Sequence, residues 1–209
     1  MLKLYFIRHG ETLSNTWHTF QGWSDTPLTQ KGVAQGKALG KGLQDTSFIK
    51  IYTSTSERAY DTACYAKGNR NIPMIMCKGL KEMNFGLLET KSNTFEGCET
   101  YQERILYPYD EYEGENIDDV CERMGKTLCS IVNENKENNG NIMCVSHGIS
   151  ILAILRYIDE EIYQSSLENI RFGNCSVTIV SWNNGVYRIE DINNMEFVEK
   201  GDSYEENNK

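Results

Sequence analysis

Apolar residues recur along this chain in two periods, and segments of the two kinds alternate. Leu2-Lys3-Leu4-Tyr5-Phe6-Ile7 is rich in strand formers and stops abruptly at Arg8, His9 and Gly10. Residues 48–53, 73–77 and 142–145 are further short apolar runs bounded by turn residues, the length of buried strands. Between these runs the period changes. Residues 30–43 carry Leu and Ala at helical spacing behind Thr29, and residues 57–66 follow Ser56 with Glu57 and Asp61 in their first turns, so both segments predict capped helices. The longest helical pattern covers residues 116–136, with Ile117, Val120, Met124, Leu128, Ile131 and Val132 on one face. Residues 149–158 predict a mostly apolar helix. Asn183-Asn184-Gly185, between strand-like residues 176–182 and 186–189, is the clearest hairpin signal.

Two stretches lack a period. Residues 10–27 read as a loop. Residues 81–114 are crowded with Tyr, Glu and Thr, which predicts a small cap insertion of loops and short helices at about 84–114. The acidic, polar residues 196–209 are expected to form a mobile tail. Strand–helix alternation predicts an α/β fold: a three-layer sandwich with a mostly parallel central sheet and helices on both faces. A chain of 209 residues suits one domain, placed here at 1–195.

Charge narrows the choice of partner. The formal net charge of −9 argues against nucleic acid or an anionic membrane. It also repels phosphorylated molecules at long range, so any phosphate site must be a local cationic pocket, with distant acidity screened beyond about 8 Å. The seven cysteines form no CxxC pair, and several sit in apolar runs, as expected of reduced thiols in a cytoplasmic protein. No secretory leader is apparent, and no apolar stretch approaches the roughly 20 residues of a membrane helix.

Two strands end alike, in Ile7-Arg8-His9-Gly10 and Val145-Ser146-His147-Gly148. Open α/β sheets bind ligands outside the carboxyl ends of their strands. Arginine offers a fork matched to phosphate oxygens, histidine is a nucleophile near neutral pH, and glycine admits close approach. One strand-end histidine is unremarkable on its own. Two His-Gly pairs in matched contexts, among only three histidines, point to a shared site. The third, His18, has no such context and reads as a loop residue.

The ordered motifs go further. Arg8-His9-Gly10-Glu11-Thr12 with Asn15, Gly22-Trp23-Ser24-Asp25 and Leu28-Thr29-Gln30-Lys31-Gly32 are followed by Ser54-Thr55-Ser56-Glu57-Arg58-Ala59-Tyr60-Asp61-Thr62-Ala63 and Leu80-Lys81-Glu82-Met83-Asn84-Phe85-Gly86-Leu87-Leu88-Glu89. Gly114-Glu115 with Asp119 and Val145-Ser146-His147-Gly148 complete the set. Over roughly residues 2–150 the chain resembles the histidine phosphatase superfamily, in its phosphoglycerate-mutase-like branch. Thr12 and Leu88 depart from residues frequent in the family, at no catalytic position.

The resemblance implies His9 as a nucleophile that forms a phosphohistidine, with Arg8, Arg58 and His147 as the cationic pocket around the phosphoryl oxygens. It implies Glu82 as general acid and then base. The superfamily's other branch places its acid directly after the second histidine, where this chain has Gly148, Ile149 and Ser150. Gly10, Asn15, Gln21, Gly22 and Gly148 join Arg8 and Arg58 as the implied phosphate- or substrate-binding set, with no metal and no cofactor. The activity implied is a phosphomonoesterase acting on a small phosphorylated metabolite. The alternative is a 2,3-bisphosphoglycerate-dependent phosphoglycerate mutase. Dedicated mutases carry an extra stretch with conspicuous Arg and Tyr, whereas residues 90–95 here are short and lack both. An inactive binding module is disfavoured because every catalytic position is filled. Phosphoserine, phosphoglycerates, sugar phosphates and α-ribazole phosphate all stay open as substrates, as do monomer and homodimer. Tyr101, Arg104, Tyr107, Tyr109 and Tyr112 crowd the cap, either as substrate contacts or as packing.

Overall fold

The computed structural model of the chain describes residues 1–95 and 98–206. Six strands form one sheet: β1 (Leu2–Arg8), β2 (Phe48–Thr53), β3 (Met74–Met76), β4 (Gly140–Ser146), β5 (Val177–Asn183) and β6 (Val186–Asn194), in the order β3-β2-β4-β1-β5-β6. β1 to β4 are mutually parallel, and β5 runs antiparallel to both β1 and β6. The sheet is therefore mostly parallel, as the alternation predicts.

Alternating side chains divide the core. Leu2, Leu4, Phe6, Ile142 and Cys144 pack on one face with Val120, Met124 and Leu128 of helix α5 (Ile117–Asn135) and Leu152 of helix α6 (Gly148–Ile158). Ile7, Ile51, Met143 and Val145 pack on the other with Ala38 and Leu39 of helix α2 (Gln30–Gly42) and Ala59 and Ala63 of helix α3 (Glu57–Lys67). Central strands buried on both faces need apolar residues at consecutive positions, which is why they read as short continuous runs. Thr29 caps α2 by accepting the Gly32 N–H at 3.0 Å. Ser56 occupies the cap position of α3, but its hydroxyl makes no capping bond; an Asp25 carboxylate oxygen takes the Glu57 N–H instead. Asn184 and Gly185, both at positive φ, close the β5–β6 hairpin.

Three segments differ from the sequence reading. The expected loop at 10–27 contains a five-residue helix, α1 (Leu13–Trp17), ended by His18 in the left-handed conformation. Helix α7 (Glu160–Asn169), which the sequence reading does not expect, follows α6, while residues 84–114 hold the short helices expected there, helix α4 (Tyr101–Leu106) and single 3₁₀ turns. The expected mobile tail is instead helix α8 (Glu196–Glu206) through its described part, with 207–209 outside the described residues. Phe197 and Val198 turn into the α2–α3 core, and Gly42 and Gly201 let the two helix backbones approach. A Cβ at Gly42 would lie 1.7 Å from the Phe197 carbonyl oxygen. Apolar and small residues spaced at helical intervals thus dock a segment whose composition is acidic.

Candidate active site

Strand register brings the two His-Gly turns together. Arg8 of β1 pairs with Ser146 of β4, and the His9 N–H donates to the Ser146 carbonyl at 3.0 Å. The His9 and His147 rings consequently lie 5.2 Å apart, centroid to centroid, both buried. β2 ends beside β4, where the Ser54 N–H donates to the Val145 carbonyl, and the chain turns directly into α3 carrying Arg58.

His9 is oriented by its neighbour. Its Nδ1 lies 2.7 Å from the Gly10 carbonyl oxygen. A carbonyl only accepts, so Nδ1 carries the proton and Nε2 keeps its lone pair. Burial, followed by the Arg58 and Arg8 guanidiniums, holds His9 well below its ordinary pKa. The ring is neutral at physiological pH. Burial and Arg58 depress His147 in the same way. His147 Nε2 shares a 2.9 Å hydrogen bond with the Ser54 hydroxyl, which itself accepts the Ser56 N–H at 3.3 Å.

Arg58 is fully buried and held by the loop after α1. Nη1 donates to the Ser24 carbonyl and Asp25 Oδ1, at 3.0 and 2.9 Å, and Nη2 to the Gln21 and Gly22 carbonyls, at 3.2 and 2.9 Å. Arg58 Nε and His147 Nδ1 are buried without a protein partner among the described residues. Arg8 donates through Nη1 to the Phe172 carbonyl. Burial lowers its pKa from a value high enough that it stays charged.

Glu82 approaches from the segment before the cap. Its carboxylate accepts the N–H groups of Ile149 at 3.2 Å and Ser150 at 3.0 Å, the first turn of α6, and that of Met83 at 3.0 Å. Arg123 of α5, paired with Glu115, donates to the Gly79, Lys81 and Glu82 carbonyls and so holds this segment in place. Arg8, His9, Asn15, Gln21, Glu82 and Gly148 all line one cavity of about 220 Å³.

Other expected site residues sit differently. Arg58 and His147, both fully buried, do not line the cavity, and neither do Gly10 and Gly22. The Gly10 N–H donates to Thr62 Oγ1, and Gly22 donates to Glu89 while its carbonyl receives Arg58. Their peptides position His9 and Arg58 from behind. The Gln21 amide is occupied by Thr12 and Thr26. Of the cap residues, Tyr101 and Arg104 line the cavity, Tyr109 is core, and Tyr107 and Tyr112 pair through their hydroxyls.

Sequence reasoning missed Glu89, whose carboxylate accepts the N–H groups of Gly22, Trp23, Ser24 and Phe85 at 3.0, 2.6, 3.2 and 3.2 Å, and the Ser24 hydroxyl. It also missed Arg171, which lines the cavity from the segment after α7. A place at the end of the Leu80–Glu89 motif was a signal for the first, though no role was attached to it. Nothing local marked the second.

Two imidazoles, two arginines and a carboxylate gather at the carboxyl edge of the sheet in an α/β protein, a candidate site whose charges suit an oxyanion. The chain belongs to the histidine phosphatase superfamily (branch 1), whose sequence profile matches residues 4–195. Among solved structures it is similar to phosphoglycerate mutase from Bacillus anthracis str. Sterne, with 29% identity, 96% of each chain covered and a TM-score of 0.85. Phosphoserine phosphatase from Entamoeba histolytica in complex with 3-phosphoglyceric acid shares 26% identity, with 95% of this chain and 100% of that one covered and a TM-score of 0.79. The 2,3-bisphosphoglycerate-dependent phosphoglycerate mutase 2 of Gloeobacter violaceus is 28% identical over 167 residues, 76% of either chain. No described helix is long and apolar enough to cross a membrane.

Proposed function

We propose that this protein is a phosphomonoesterase that releases phosphate from a small phosphorylated metabolite through a phosphohistidine on His9. One observation carries the reading: a neutral imidazole with Nδ1 committed to Gly10 keeps its Nε2 lone pair beside two arginines. The lone pair attacks phosphorus in line, the N–P bond forms as the ester P–O bond breaks, and Glu82, entering the step as the protonated carboxylic acid, gives the leaving oxygen its proton. Glu82, now a carboxylate, takes a proton from water as the water oxygen attacks phosphorus. The N–P bond breaks, and the electron pair returns to Nε2.

Arg8 and Arg58 stabilise the charge on the phosphoryl oxygens, in the role that a metal ion plays in other phosphatases. Leaving a buried nitrogen unpaired costs about 1–3 kcal/mol, so Arg58 Nε and His147 Nδ1 are best satisfied by those oxygens. With the Ser54 hydroxyl donating to Nε2, His147 contributes an Nδ1–H rather than a full charge. Asn15, Gln21 and the Gly148 N–H border the substrate, and Gly10 and Gly22 act through their peptides.

The reading needs neither metal nor cofactor, and an acidic chain makes nucleic acid or an anionic membrane an unfavourable partner. One domain over 1–195, with its cap at about 84–114, carries the activity. Seven free thiols favour a cytoplasmic setting.

The mutase names of the relatives support a second reading, in which the phosphoryl group returns to a glycerate instead of passing to water. Phosphate release across a panel of phosphomonoesters decides between them. The phosphomonoesterase reading expects release that His9→Ala abolishes. Wild-type turnover in His9→Ala would refute it, and 2,3-bisphosphoglycerate-dependent isomerisation without release would favour the mutase.

A further inference from the structure

The reaction uses only the floor of the cavity, yet its mouth carries two more cations. Arg104 of α4 and Arg171 both line it, and neither forms an ion pair among the described residues. Unpaired guanidiniums facing one small cavity are unusual in a chain of net charge −9.

Their hydrogen bonds leave donors free for a ligand. Arg171 is exposed and sits over the Tyr101 ring, its guanidinium carbon 4.1 Å from the ring centroid. Among the described residues only Nη1 has a hydrogen-bond partner, the Ile170 carbonyl at 3.0 Å. The contact with the ring holds the guanidinium beside the cavity with donors left for a carboxylate, which its fork can meet in a bidentate pair. Arg104 is anchored by Nε to the Thr100 carbonyl and by Nη1 to Asn93, so its remaining nitrogen is held in place rather than mobile.

The Tyr101 hydroxyl ties this upper group to the floor. A Cβ placed on Gly148 would lie 3.8 Å from both that hydroxyl and Arg8 Nε. Burial pushes the hydroxyl up to about 12, so it stays a proton donor at neutral pH. The cavity, at about 220 Å³, is smaller than the roughly 300–1,000 Å³ typical of pockets for drug-sized ligands. A portion of a few carbons therefore fits between the two ends.

We propose that the substrate carries a carboxylate on its leaving portion, received by Arg171 with Arg104 and Tyr101 while the phosphate sits on His9. The inference deepens the phosphomonoesterase reading and rests on it for the position of the phosphate.

Two substrate pairs isolate the carboxylate: O-phosphoserine against O-phosphoethanolamine, and 3-phosphoglycerate against glycerol 3-phosphate. kcat/KM is measured on the unaltered protein, and Kd by calorimetry on His9→Ala. A charge-assisted contact at a partly exposed mouth predicts at least a tenfold preference for the carboxylate member of each pair. Arg171→Gln should shrink that preference mainly through KM, Arg171→Lys should restore part of it, and Arg104→Gln should reduce it independently. Equal constants within both pairs, or a preference indifferent to both arginines, would overturn the proposal. Should Arg171→Gln not fold, the comparison in the unaltered protein and in Arg104→Gln still decides. Discriminating Kd values without any turnover would defeat the phosphomonoesterase reading alone and leave the second site standing.

Discussion

Replacing Glu89 by glutamine tests whether the phosphate pocket is held from outside itself. The Glu89 carboxylate gathers the N–H groups of Gly22, Trp23, Ser24 and Phe85, and the carbonyls of Gly22 and Ser24 in turn hold the Arg58 guanidinium. Either orientation of the new amide points an NH₂ group at donors. In one, the Trp23 and Phe85 N–H groups lose their acceptor; in the other, Gly22 and both Ser24 donors do. Leaving two partly buried donors unmatched costs ~2–4 kcal/mol, which for a chain this long lowers the melting temperature by roughly 5–15 °C. The loop relaxes, Arg58 shifts, and misplacement on the order of 1 Å lowers kcat/KM by about tenfold to a hundredfold. Thermal melts and p-nitrophenyl phosphate hydrolysis on Glu89→Gln read both effects. A melting curve superimposable on that of the unaltered protein, with unchanged kcat/KM, would refute the idea that Glu89 positions Arg58.

Three further outcomes follow from other parts of the structure. His9 and His147 are both depressed below 6.5, so in the window beneath that value the unfolded chain binds more protons. Stability should be full above pH 6.5 and fall as pH drops through the window, with the acid limb of kcat/KM also below 6.5; urea titrations and a pH–rate profile check this, and a limb centred above 6.5 contradicts it. Gly42→Ala pits helix propensity against packing. Propensity favours alanine by about 1 kcal/mol, but the new Cβ would meet the Phe197 carbonyl at 1.7 Å. Net destabilisation of ~1–3 kcal/mol is expected, with faster hydrogen exchange across α8, and a stabilised variant would mean that α8 does not dock as described. Glu82→Gln should slow alkyl phosphates by ~10²–10⁴ but p-nitrophenyl phosphate far less, because its leaving group hardly needs a proton; equal losses would remove Glu82 from the acid role.

The parts legible in the sequence are those where one local pattern suffices. β1 and β4 announce themselves because both faces of a central parallel strand are buried, and Arg8-His9-Gly10 and Ser146-His147-Gly148 mark the ends where ligands bind. Arg58 and Glu82 carry no local signal; in isolation each reads as a charged residue on a solvated surface, and only the ordered family motifs single them out. Helix α1 is too short to show a period. In α8, Phe197, Val198 and Gly201 are diluted among Glu, Lys and Asp, so average composition hides a docking face that only tertiary structure reveals. Arg171 reaches the cavity because β5 runs back beside β1, bringing the chain before it over the carboxyl edge. That is a consequence of topology, which residues near position 171 do not encode.

The central claim is that phosphorus becomes bonded to His9, and peptide mapping of the protein mixed rapidly with a turned-over phosphomonoester and quenched in alkali tests it most directly. The account predicts one phosphoryl group, acid-labile, on Nε2 of His9 and absent from His9→Ala. A phosphoryl group on His147 or Glu82, or one still formed in His9→Ala, would contradict it.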